Sequence, residues 1–184
     1  MRIGDQVWMT ENLRTSKYAD GTSITNVTES SQWNIASKNS MWCNYNNDSQ
    51  NDKIYGKLYN WYAVKKGKLC PTSWHVPKAS EWEKLVDFLA AKEGTDLKSK
   101  SGWNENEDGT SGNGTDDYGW FALPGGYRQA NGDFNYIGSE GSWWSLSKKN
   151  GEFAWNFALE SSNSSISEYY SVKKFGLSVR CIKD

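Results

Sequence analysis

The sequence predicts an α+β protein in which two helices precede a run of antiparallel strands joined by long loops. Three observations carry this. A capped amphipathic stripe follows Pro77. From Trp120 onward the pattern changes to short strands punctuated by turns. The composition is turn-rich and aromatic, with 17 Gly, 11 Trp, 10 Tyr and 6 Phe at a mean hydropathy of −0.82. Aliphatic residues are thin, so the core is expected to be built from Trp and Tyr, each burying roughly 150–250 Å² while keeping a polar tip to satisfy.

Taken in order, Gln6–Leu13 reads as extended. Residues 20–53 are polar and loop-like, with Trp33, Trp42 and Tyr45 as anchors. Leu58, Trp61 and Tyr62 stand at i, i+3 and i+4, which predicts a short helix. The clearest helix comes next. Ser80 as N-cap with Glu83 three residues on makes a capping box. Trp82, Leu85, Val86 and Leu89 form one face, and Gly94 ends the helix. Residues 99–118 form a polar, Gly-rich loop. The predicted strands are Ala122–Leu123, Gly126–Gln129, Trp143–Ser147, Phe153–Glu160, Tyr169–Val172 and Leu177–Lys183, with a hairpin turn at Asn131-Gly132-Asp133.

Charge narrows the function. Lys plus Arg number 21 and Asp plus Glu 22, a net charge of −1 without a basic block, which argues against nucleic acid and gives no attraction to an anionic membrane. No apolar run is long enough to span a bilayer, so direct membrane insertion is not expected. Met1-Arg2-Ile3-Gly4-Asp5 reads as the start of a trimmed piece whose address has been removed. Three cysteines without a CxxC pair, and a single His, do not make a structural zinc site. One disulfide plus one leftover thiol suits an extracellular setting.

Six stretches in this chain are recognisable: Gln6-Val7-Trp8-Met9-Thr10-Glu11-Asn12-Leu13, Tyr55-Gly56-Lys57-Leu58-Tyr59-Asn60-Trp61, Cys70-Pro71-Thr72-Ser73-Trp74-His75-Val76-Pro77, Phe121-Ala122-Leu123-Pro124-Gly125-Gly126-Tyr127-Arg128, Trp143-Trp144-Ser145 and Gly176-Leu177-Ser178-Val179-Arg180-Cys181. Through them the chain resembles the Fibrobacter succinogenes major paralogous domain family, found in secreted and surface lipoproteins of gut and rumen bacteria. More distantly, Val76-Pro77 followed by Glu81-Trp82-Glu83 is similar to formylglycine-generating-enzyme-like domains. The resemblance implies a C-type-lectin-like fold over residues 1–184, two helices flanking a twisted antiparallel sheet with the chain ends close together. It implies no settled activity, and fold alone supplies none. It also implies a Cys70–Cys181 disulfide, against the alternative of three buried thiols. A bridge closing a loop of that length is worth about 4–5 kcal/mol in the chain-entropy view. Cys43 is expected to stay free and buried.

Each candidate site has a plainer reading beside it. A formylglycine-generating oxidase needs a reactive cysteine pair, and no second Cys lies near Cys181. His75, the sole His, reads as a hydrogen-bonded structural residue rather than half of a nucleophile pair. Glu105, Glu107, Asp108, Asp116 and Asp117 have the chemistry of glycosidase carboxylates but lie in or beside a solvated loop. Asn104–Gly109 has the oxygen spacing of the start of an EF-hand, yet its twelfth position is Thr115 rather than a bidentate Glu. Calcium therefore stays the one open cofactor, with none otherwise expected. In Trp143-Trp144, strand alternation leaves one ring for the core and the other either as a platform for a sugar or buried by loops. Residues 161–171 mix Ser, Asn and Tyr in the manner of a paratope, against the alternative of an ordinary polar loop. The resemblance adds that related proteins are diversified at this end by retroelements.

The candidate ligand-binding residues are therefore Tyr127, Arg128, Asn131, Trp143, Ser145, Trp155, Asn156, Ser162, Asn163, Ser164, Tyr169 and Tyr170. The expectation is a secreted or surface-exposed module, not an enzyme, that binds a glycan or a protein through its C-terminal strands and loops. The alternatives are a structural or adhesin subunit of a surface assembly and an enzyme of unknown chemistry.

Overall fold

The computed structural model describes residues 1–35, 38–89 and 94–184. The described elements are β1 (Arg2–Ile3), β2 (Gln6–Val7), β3 (Thr25–Asn26), α1 (Ser30–Ile35), β4 (Met41–Cys43), α2 (Ser49–Tyr55), β5 (Leu58–Tyr59), α3 (Trp61–Val64), β6 (Trp74–His75), α4 (Ala79–Leu89), β7 (Gly125–Arg128), β8 (Phe134–Ile137), β9 (Glu140–Lys148), β10 (Phe153–Glu160), β11 (Ser167–Val172) and β12 (Ile182–Lys183). The fold is α+β, as its sequence predicts. Its main sheet runs β11-β10-β9-β7-β8. Most pairings are antiparallel, but β7 meets β9 in parallel at Gly126 and Gly141. Gly126 has φ +60, and a Cβ there would fall 2.4 Å from the Asn135 carbonyl oxygen, so only glycine fits.

Both faces of β9 are covered, and this decides the fate of the Trp pair. Trp143 lies with Phe157 and Leu159 beneath α4, against Trp82, Leu85 and Leu89. Trp144 lies on the other face with Trp61, Ala63 and Val64 of α3 and with Leu177 and Val179. Helices thus flank the sheet on both sides. The aromatic core is literal: Trp82 stacks on Phe157 at 5.0 Å, and Trp120 meets Trp143 edge-on at 5.0 Å.

The capping box of α4 is displaced from its predicted place. Ser80 lies inside the helix. It is Glu81, not Glu83, whose carboxylate accepts the Lys78 N–H (2.8 Å), while Ser147 on β9 accepts the Ala79 N–H (3.1 Å). The predicted stripe holds, with Trp82, Leu85 and Leu89 buried. The stop expected at Gly94 depends on residues 90–93, outside those described. The short helix predicted from Leu58 divides: Leu58 is on β5, and α3 begins only after Asn60, whose side chain accepts the Ala63 N–H (3.1 Å). That side-chain cap fixes the boundary and overrides the i, i+3 spacing. Trp33 and Tyr45 are buried anchors, as expected, but the segment around them also contains α1, α2 and β4.

Cys70 and Cys181 form the disulfide, and Cys43 is free and buried. The tail returns to the start of the chain, with β12 pairing with β6 and Trp8 bridging Ile182. Asn12 Oδ1 accepts from Trp143 Nε1 (2.8 Å) and from Arg180 Nε (3.1 Å) and Nη2 (2.7 Å), which ties the opening segment, the sheet and the tail at one atom.

A groove on the uncovered half of the sheet

On β9, β10 and β11, Glu140, Ser142, Asn156, Ala158, Glu160, Tyr169 and Ser171 share one face by alternation and register. The apolar cover on that face stops at Trp144 and Ala154, leaving a groove of about 370 Å³. Tyr127 on β7, Tyr136 on β8 and Phe175 complete it. Tyr127 stands between its neighbours, 5.5 Å from Tyr136 and 5.7 Å from Phe175, so one wall is a row of three rings. Tyr136 is 55% exposed at φ +64, a region an aromatic residue rarely adopts and one that collects at functional sites.

The polar floor is partly saturated and partly open. Glu140 accepts the Ser142 hydroxyl, and Glu160 accepts the Tyr169 hydroxyl at 2.8 Å. Asn156 is only 3% exposed. Its Oδ1 accepts the Ser171 hydroxyl (3.0 Å), whereas its Nδ2 finds no partner among the described residues. Burial raises the Glu140 carboxyl above the usual glutamate range, the Ser142 bond works against this, and the charge of Glu160 adds to it. Burial, with Glu140 and Tyr136 beside it, pushes the Tyr127 phenol up to about 12.

Four predicted site residues line the groove, Tyr127, Asn156, Tyr169 and Tyr170, although the Tyr170 ring packs edge-on against Trp155 on the opposite face. Eight do not. Trp143 is 1% exposed beneath α4. Arg128 is fully buried and is a staple: Nε donates to Gly132 O (3.0 Å), Nη1 to Val27 O (2.7 Å) and Nη2 to Thr28 O (2.7 Å), with Trp33 and Phe134 rings against it. Ser145 is buried, its carbonyl accepting the Trp61 indole N–H. Trp155 belongs to the opposite face, where Lys149 lies over its ring and that of Tyr170. Asn131 is in the β7–β8 turn, donating to Asp133. Ser162, Asn163 and Ser164 are exposed in the β10–β11 turn, outside the groove lining.

Reading the residues alone missed Glu140, Glu160, Ser142, Tyr136 and Phe175. Asn150-Gly151 signals that β9 and β10 pair as a hairpin, but the irregularity between Ala154 and Asn156 keeps counting from that turn from setting Glu140 opposite Glu160.

The other candidates resolve into structural parts. His75 is held from both sides, Nδ1 by Asp184 (2.7 Å) and Nε2 by Glu81 (2.9 Å). Burial pushes the Cys43 thiol up to about 12. In the calcium candidate, Asp108 accepts from Thr110 N–H (2.9 Å) and from its hydroxyl (2.6 Å), closing a tight turn. Among the described residues no group of three or more His, Cys, Asp or Glu side chains could hold a metal. A second cleft, of about 460 Å³, reaches Arg180. That guanidinium bonds Asn12 and the Trp120 carbonyl, so its polar groups face inward, unlike those of the groove.

A family model described as the Fibrobacter succinogenes major domain matches residues 1–183. No curated protein and no solved structure matches the chain.

Proposed function

The chain belongs to the Fibrobacter succinogenes major domain family, and we propose that it is a secreted or surface-exposed, non-enzymatic binding module that takes a glycan in the groove of its main sheet. The observation that carries this is the pairing of a ring wall (Phe175, Tyr127, Tyr136) with a floor of both acceptors and a free donor, Glu140, Glu160 and the Asn156 amide. A sugar presents an apolar ring face and a fringe of hydroxyls, which stacking and paired hydrogen bonds recognise together. The disulfide favours an oxidising compartment. A C-type-lectin-like topology fits the bridge from the approach to α4 to the tail, the adjoining chain ends and the helices on both faces. The buried Cys43 and the doubly held His75 supply no activated nucleophile. Groove side chains such as Tyr169 and Ser171 stand on backbone already held by the sheet, so exchanging them leaves the scaffold intact, as diversification at this end requires.

A second reading has its own observation. β11 is an edge strand of six residues, and an unpaired edge can accept a strand from another chain, as a subunit of a surface assembly would use it.

A glycan array probed with wild type and with Tyr169→Ala/Tyr170→Ala separates these. The glycan reading expects a restricted set of wild-type ligands that the variant loses. Identical profiles, or no glycan bound, overturn it.

A further inference from the structure

Resting on that reading, we propose that the groove selects a cation, so that its sugar is an amino sugar whose primary ammonium sits between Glu140 and Glu160. These two residues are register partners on one face. Among the described residues neither carboxylate has a Lys, Arg or His within ion-pair distance, although five such pairs occur elsewhere in the chain. Lys98 touches the same strand, but its Nζ donates to the backbone carbonyls of Glu160 and Asn163, both at 3.0 Å. None of the residues lining the groove is basic.

Like charges directly opposite each other across a ladder are destabilising, and a partly buried carboxylate without a counter-ion is worse placed still. A ligand ammonium relieves both. The aromatic wall acts in the same sense, because ring faces attract cations. The buried Asn156, with its unpartnered amide N–H facing this space, is an independent sign of a ligand with acceptor oxygens, which a simple metal ion lacks. An amino sugar has the ammonium, the hydroxyl oxygens and the ring face in one residue. Burial is the main cause of the raised Glu140 pKa, and the charge of Glu160 adds to it.

The test is a titration of the whole chain with three probes at mildly acidic pH: a glucosamine tetrasaccharide, its fully N-acetylated counterpart, and a tetralysine peptide. The glucosamine oligomer is expected to bind about tenfold tighter than the acetylated one, the gain typical of charge-assisted bonds. Its affinity should fall with added salt while that of the neutral sugar does not. Glu140→Gln/Glu160→Gln should abolish the preference, and the salt dependence of wild type reads the same electrostatics without any variant. Equal affinities for the two sugars overturn the cation inference and leave the groove's glycan reading standing. Binding of tetralysine alone overturns the amino sugar in favour of a basic peptide, and binding of none of the three overturns the amino-sugar inference, while the glycan reading stands or falls with the array.

Discussion

Glu140 and Glu160 face each other across β9 and β10 as one register pair, two carboxylates on the open face of the sheet. A scaffold selected only for stability has no use for that arrangement, since an opposite-charge or neutral pair in the same place is worth roughly 0.2–1 kcal/mol more. The pair marks the point at which the sheet stops serving the core and faces outward.

Glu140 should therefore destabilise the fold when ionised. Burial raises its folded carboxyl above the usual glutamate range. Between those two pKa values the native state holds more protons than the unfolded chain, so stability falls as pH rises. Glu140→Gln removes the titration, keeps an acceptor for Ser142 and should gain on wild type as pH goes from acid to neutral. Urea midpoints across that range check this; parallel profiles for the two proteins contradict it.

His75 works in the opposite direction. Burial pulls its pKa down, but hydrogen bonds and charge from Asp184 and Glu81 outweigh it, and the net shift is upward. The stability from this clamp is fully present below the unfolded pKa of about 6.5 and is lost as pH rises through the folded value. An NMR titration of the single imidazole should give a midpoint above the ordinary one, and His75→Gln should flatten the profile. A midpoint below the ordinary histidine value contradicts the clamp.

The disulfide joins residues 111 positions apart, for which the chain-entropy estimate is about 4–5 kcal/mol. Replacing Cys70 and Cys181 together by Ser should lower the unfolding free energy by most of that, read as a shifted urea midpoint. An unchanged midpoint would show that the tail is held by β12 and the Asn12 bonds alone.

Trp143 and Tyr169 separate core from site. Trp143→Ala should cost about 3–5 kcal/mol, the price of a large core truncation. Tyr169, 45% exposed, should cost under about 1 kcal/mol as Ala while weakening ligand binding. Thermal unfolding of both variants decides; a Tyr169→Ala loss as large as that of Trp143→Ala would place Tyr169 in the core.

The contrast between these two residues shows how far the sequence reaches. Alternation puts Trp143 and Trp144 on opposite faces, and they are. Nothing local says that α4 covers one face and α3 with the tail the other, so the sequence leaves a sugar platform and a buried ring both open, and the structure buries both rings. Arg128 misled for the same reason: its three acceptors include the carbonyls of residues 27 and 28, a hundred positions away. The hairpin turn at Asn131-Gly132-Asp133 and the strand Phe153–Glu160 were legible because turn chemistry and alternation are local. The Glu140–Glu160 pair was not, because an irregularity between Ala154 and Asn156 shifts the register, and simple counting from Asn150-Gly151 does not place the two side by side. Glu81 displaced Glu83 as the capping residue because α4 starts at Ala79, where Ser147 from the sheet receives its first N–H.

The most direct test maps the ligand onto the chain. Amide chemical shifts recorded while the strongest glycan from the array is added should move most at Ser142, Asn156, Tyr169 and Ser171, with Tyr127 and Tyr136 beside them. Shifts centred instead on the turn at Ser162–Ser164, or on the cleft along Thr10–Arg14, would contradict the groove as the site.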